Sequence, residues 1–177
     1  MKKLPFYLTL SRIVGAPALT LLFFTQEPWA WWTSAVIFGA LSLTDYFDGK
    51  LARKYNVVSD FGKFFDPTGD KILVLFALVL LVHFKAAHPA FLLILLSRDI
   101  IIGSLRSFAA AKGLVLAARP LGKLKTALQM IAIPLMLLPE MPLPFSVFEL
   151  GSWILWGACF ISIISLLDYT LQVKNKS

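Results

Sequence analysis

The sequence holds one cysteine, Cys159, and two histidines, His83 and His88, in 177 residues. A single cysteine excludes an intrachain disulfide and offers no thiolate spacing for a metal. Free cysteines are commonly small buried apolar side chains, so Cys159 reads as a packing residue. The two histidines flank one short loop, far along the chain from the acidic cluster, which points to surface or interfacial roles rather than ligation. Acidic residues are scarce too, ten against seventeen lysines and arginines, for a net charge of +7. That excess forms no basic run and no aromatic-interleaved patch, which argues against nucleic acid as a partner. No internal repeat or low-complexity stretch is visible. No cleavable leader is evident, and none is expected: Arg12 interrupts the first apolar run, and no small-residue cleavage site stands out.

What the chain has in abundance is apolar surface. Apolar residues make up 58% of it and the mean hydropathy is +0.78, against the ~45–50% apolar content of ordinary soluble domains. A single domain over residues 1–177 has no core large enough to bury so many apolar side chains, so lipid is the expected solvent. Six hydrophobic segments can be drawn, roughly 5–25, 31–54, 61–84, 89–111, 121–139 and 147–170. Several have uninterrupted apolar runs shorter than the ~20 residues a span requires. They reach that length by absorbing polar residues at one end: Arg12 in the first, aspartates in the second and third, Arg106 in the fourth. Polar groups at membrane depth face protein or a water-filled cavity. The expected fold is therefore an all-α integral membrane protein: six transmembrane helices with a polar cavity open to the cytoplasmic side.

The cations assign the sides. Fifteen of the seventeen lie at the termini or around the second and fourth connections, Lys85 alone lies on the other side, and Arg98 is mid-segment. By the positive-inside bias both termini are cytoplasmic. Glu27-Pro28, His88-Pro89 and Pro139 to Pro144 punctuate the outer connections. Trp29, Trp31, Trp32, Trp153 and Trp156 cluster near outer edges, where interfacial aromatics belong.

Half of the acids fall in one stretch, DYFDGKLARKYNVVSDFGKFFDPTGD, from Asp45 to Asp70. Asp45 and Asp48 share a helical face with Ala52, with Gly49 beside it, and Gly62, Asp66 and Asp70 recur every four residues. The two helices are expected to be antiparallel, joined by a short connection, so that their acidic faces can meet. A solvated rim accounts for one such pair, but not for four carboxylates on facing helices with small residues between them. Convergent carboxylates repel unless a cation neutralises them, and oxygen-only donors select a hard ion, Mg²⁺ or Mn²⁺. Two such ions would stabilise the entering and leaving oxygens of a phosphoryl transfer. Gly49, Ala52 and Gly62 leave room for a bulky ligand, Arg53 suits a phosphate, and Ser59 offers a hydroxyl.

The pattern D-x2-D-G-x2-A-R-x8-G-x3-D-x3-D, met at Asp45, Asp48, Gly49, Ala52, Arg53, Gly62, Asp66 and Asp70, resembles the signature of the CDP-alcohol phosphotransferase family. The resemblance covers nearly the whole chain. It implies a metal-dependent membrane enzyme, commonly homodimeric, that moves a phosphatidyl group from a CDP-linked lipid to an alcohol and releases CMP. It also implies roles: Asp45, Asp48, Asp66 and Asp70 bind metal, Asp70 is in addition the base, and Gly49, Arg53 and Ser59 contact the nucleotide. Relatives often carry an Asn-x2-Thr-x2-Arg-like pattern in the first helix. Here Thr9 and Arg12 are kept while Phe6 takes the Asn position, which leaves Thr9 and Arg12 as candidate contacts to the CDP-lipid.

The acceptor is read from residues 98–129. Arg98 and Asp99 adjoin at membrane depth, where a lone charge is costly, and fit pairing, cavity support or substrate contact. Arg106, Lys123 and Lys125 lie toward the same end as the acids. Cations beside an acidic metal site favour a second anionic substrate; anionic headgroups and topology are the competing explanation. Arg98-Asp99 and Leu105-Arg106, followed by Gly122-Lys123 and Lys125-Thr126, resemble the branch of the family that uses glycerol 3-phosphate. CDP-diacylglycerol and glycerol 3-phosphate are thus the expected substrates, with Arg106, Lys123 and Lys125 on the acceptor phosphate. Inositol phosphate, serine or phosphatidylglycerol as acceptor are the alternatives. A cation transporter is more remote, because the outer helix halves are almost wholly apolar.

Overall fold

The computed structural model describes residues 14–19, 21, 22, 24, 25, 27–54, 60–113, 119–138 and 144–176, with backbone alone for 28, 44–54, 60–68, 70 and 173–176. Every regular element among the described residues is helical, as the sequence leads one to expect. They are α1 (residues 14–19 and 21–22), α2 (Pro28–Lys54), α3 (Asp60–His83), α4 (Pro89–Ala111), α5 (Pro120–Leu137) and α6 (Val147–Lys176).

Local chemistry explains the boundaries. Proline opens α2, α4 and α5 at a position where a missing N–H costs nothing and φ is already helical. His88 is the N-cap of α4, its Nδ1 accepting from the Ala90 N–H at 3.2 Å. That gives one of the two histidines a structural role on the loop. Ser146 caps α6 in the same way, its hydroxyl oxygen accepting from the Glu149 N–H at 3.2 Å. After α3 the chain reverses through Lys85, which has a φ of 57°. Lys85 N–H bonds to Val82 O at 3.0 Å and Ala86 N–H to Leu81 O at 2.8 Å, the paired bonds that close a helix through a left-handed residue. Gly113, φ 72°, plays that part after α4.

α5 is the hub among the described residues: it meets α2, α3 and α6, and its contact with α6 is the most extensive of those described. α6 also crosses α4, and α4 lies against α3. The core draws Phe38 from α2, Leu73 and Leu81 from α3, Leu95 from α4, Ile133 and Met136 from α5, and Leu155 with Cys159 from α6. Cys159 is buried and free. Gly151 is what lets α6 approach α5: a Cβ there would stand 2.8 Å from Met136 Cγ and 2.9 Å from Ala132 O. Within α6, Val147–Gln172 is long and apolar enough to cross a membrane, while Trp29–Leu43 and Lys71–His83 are shorter apolar helical runs.

Candidate functional site

The backbone places the acidic stretch on two consecutive helices. Asp45, Asp48, Gly49, Ala52 and Arg53 occupy the last third of α2, and Gly62, Asp66 and Asp70 the first half of α3. Helical spacing then sets Asp45 with Asp48, and Asp66 with Asp70, on one face of each helix. Their side chains lie outside what the structure describes, as do Thr9, Arg12 and Ser59 altogether. Among the described residues, no three His, Cys, Asp or Glu side chains come together as a metal site. The candidate ligand set is therefore defined by helix register and donor chemistry.

The side chains of Arg98, Asp99, Arg106, Arg119, Lys123 and Lys125 are described. Lys125 is 1% exposed, and its Nζ donates to both carboxylate oxygens of Asp99, at 2.9 and 2.7 Å. Asp99 also accepts from Arg98 Nη1 at 2.9 Å, and Arg98 Nη2 donates to Ser165 Oγ at 2.6 Å. One carboxylate thus holds two cations and joins α4, α5 and α6. Such buried charge survives because cation and carboxylate are paired and hydrogen-bonded to each other, although Arg98 Nε has no partner among the described residues. The Arg98-Asp99 dipeptide is therefore a cross-helix fastening, and Lys125 is engaged by Asp99.

Arg106 sits on the exposed side of α4. It donates to the hydroxyl of Tyr169, and its guanidinium carbon lies 5.2 Å from the centre of the same ring. Tyr169 is fully buried, and its hydroxyl also accepts from the Arg119 backbone N–H at 3.2 Å. Arg119 in turn meets Asp168 at 3.3 Å. Lys123, one turn into α5, is exposed. The three predicted acceptor cations therefore differ: Arg106 is held by an aromatic ring, Lys123 is open to solvent, and Lys125 is buried in an ion pair.

Sequence reasoning missed Tyr169, Ser165 and Gln129. The available signal was modest: Asp168-Tyr169 is a polar pair at the end of a long apolar helix, and Ser165 lies one turn before it. Gln129, on α5 one turn after Lys125, is 2% exposed with its amide nitrogen unpartnered among the described residues.

The CDP-alcohol phosphatidyltransferase family model matches residues 2–164. Three similar proteins carry the name CDP-diacylglycerol–glycerol-3-phosphate 3-phosphatidyltransferase. The one from Rickettsia typhi is 38% identical over 176 residues, covering 99% of either chain. That from Bacillus subtilis is 36% identical, covering 96% of this chain and 94% of its own. That from Salmonella choleraesuis is 36% identical, covering 97% and 95%. With its acidic motif on two consecutive helices and a match over nearly its full length, the chain belongs to the CDP-alcohol phosphatidyltransferase family.

Proposed function

We infer that this protein transfers a phosphatidyl group from CDP-diacylglycerol to glycerol 3-phosphate, giving phosphatidylglycerophosphate and CMP. The observation that carries this reading is the end-to-end similarity to proteins named for that reaction, joined to the unbroken acidic motif across α2 and α3. The primary hydroxyl oxygen of glycerol 3-phosphate forms a bond to the β-phosphorus while the phosphoanhydride bond to CMP breaks. Asp70 accepts the hydroxyl proton, and CMP departs with the electron pair.

The donor set of Asp45, Asp48, Asp66 and Asp70, all carboxylate oxygens, fits hard divalent cations, Mg²⁺ or Mn²⁺, as a pair. When bound, they would neutralise charge on the pyrophosphate. Thr9, Arg12, Gly49, Ala52, Arg53, Ser59 and Gly62 would surround the CDP part of the lipid, with Asp45. Arg106 and Lys123 would contact the acceptor phosphate directly, and Lys125 would add positive charge from behind, its amine resting on Asp99. The protein would work as a homodimer with six spans in a bacterial inner membrane, both termini cytoplasmic. Acyl chains would then stay in lipid while the headgroup chemistry proceeds at the cytoplasmic face.

The test is CMP release by purified protein given labelled CDP-diacylglycerol and each acceptor in turn. Glycerol 3-phosphate should be consumed. Turnover of serine or inositol phosphate in its place would refute the acceptor, and full activity in Asp70→Asn would refute the base.

A further inference from the structure

A cavity of about 650 Å³ lies between α3 and α4 and reaches α5, within the ~300–1,000 Å³ usual for ligand sites. It has an amphiphile's order along its length. Toward the start of α3 and the end of α4 it is lined by Lys71, Ser104 and Ser107, and farther in by Leu75, Leu78, Leu92, Leu95 and Leu96. On α4, the distance from Leu92 to Ser104 is about 18 Å. Leu96 and Ile100 remain exposed beside the opening.

Two groups of the lining, Gln129 and Lys71, bear on what the cavity would hold. The Gln129 amide nitrogen, buried and unpartnered among the described residues, lines the cavity and lacks an acceptor. A buried donor without an acceptor carries a real cost. Lys71 and Asp99 are the charged residues of the lining, and Asp99 is already held by Arg98 and Lys125, which leaves Lys71 as the cation that faces the cavity. An anion bearing acceptor oxygens is the complement.

This cavity is not the face that carries the motif. On α3, positions 66 and 70 share a face continued by buried Leu73 and Ala77. Lys71, Leu75 and Leu78 lie roughly 110–170° round the axis. We propose that the cavity binds an anionic phospholipid of the cytoplasmic leaflet, separate from the two reacting substrates. One acyl chain lies along the leucines and an ester carbonyl accepts from Gln129 Nε2. The headgroup phosphate sits on Lys71 with Ser104 and Ser107. The lipid's orientation rests on the membrane topology proposed above.

Gly103 supplies a clean test, because it lines the cavity and a Cβ there meets nothing within 4 Å. Full-length protein is reconstituted into nanodiscs containing phosphatidylglycerol with a photoreactive group in mid-chain, and the labelled peptides are mapped. Label is expected on residues 71–78 and 92–104, and to be lost in Gly103→Phe. Lys71→Gln should lower it about fivefold, the effect of one cation near a lipid surface. Excess CDP-diacylglycerol should leave it unchanged. Equal labelling by a phosphatidylcholine probe, competition by CDP-diacylglycerol, or persistence of label in Gly103→Phe would each overturn the proposal. So would absence of label with cross-links to a second copy across α3 and α4. Failure to enter nanodiscs at all would instead strike the membrane reading, and CMP release, assayed separately, reports on catalysis.

Discussion

Tyr169 and Asp99 are the residues on which the basic side turns. Tyr169→Phe keeps the ring under Arg106 but removes the hydroxyl shared by Arg106 and the Arg119 N–H. An orphaned donor costs about 1–3 kcal/mol, and Arg106 loses its fixed direction. If Arg106 holds the acceptor, KM for glycerol 3-phosphate should rise severalfold while KM for CDP-diacylglycerol and kcat stay close to their starting values. Steady-state kinetics on both substrates checks this. Asp99→Asn leaves Lys125 and Arg98 without their countercharge, a change that costs about 3–5 kcal/mol when a buried pair is broken from one side. Asp99→Asn with Lys125→Met should recover much of the loss, because no unpaired ammonium remains. Thermal denaturation in detergent would show the single variant below the double. Pairing of Arg98 with Asp99 was open to the sequence, but the contacts of Tyr169, of Ser165 and of Lys125 with Asp99 were not: 63 residues separate Tyr169 from Arg106, 67 separate Ser165 from Arg98, and 26 separate Lys125 from Asp99. Such pairings follow from helix packing, which periodicity does not encode.

The helices, by contrast, were largely legible. Segments drawn at 31–54, 61–84, 89–111 and 121–139 fall within a few residues of α2 to α5, because prolines and caps stop and start them where apolar runs do. α6 extends past residue 170 to Lys176; its last turns are polar, so hydrophobicity ended the segment before the backbone did. At this scale the seam between α5 and α6 is the sensitive place. Gly151→Ala drives a methyl group toward Ala132 O, which is backbone and yields little, and should destabilise by about 1–3 kcal/mol. Gly157→Ala, in the same helix with nothing within 4 Å of its Cβ, should stabilise by about 0.5–1 kcal/mol through lower chain entropy. Comparing the two variants by thermal denaturation separates close approach from helix propensity.

For the whole molecule, the charge pattern makes a prediction that helix geometry alone does not. Fifteen cations on one side against Lys85 on the other should place both termini in the cytoplasm. Cysteines placed at residue 3, residue 86 and residue 175 of a Cys159→Ser background should differ: the membrane-impermeant thiol reagent should reach only the second in intact cells. Labelling of a terminal cysteine instead would reverse the topology. The acidic motif belongs to this scale as well. Its helical register was clear from spacing, and its family from the match of fixed positions, whereas the cavity between α3 and α4 left no trace in the spacing of Lys71, Gln129 and the leucines.

The shared carboxylate of Asp99 also bears on the order in which the protein is made. α4 carries Arg98 and Asp99 side by side and, in the proposed topology, would enter the bilayer with that pair already matched, whereas α5 brings Lys123 and Lys125 with no acid of its own. A lysine costs about 2.5–3.5 kcal/mol on insertion at a helix centre and less in the second turn, where Lys125 stands, and docking on α4 would remove that cost. Biogenesis should therefore retain α5 near α4 until the two leave the insertion machinery together. In glycosylation-site reporters, α5 should insert poorly alone and well behind α4, and Asp99→Asn in α4 should abolish that help.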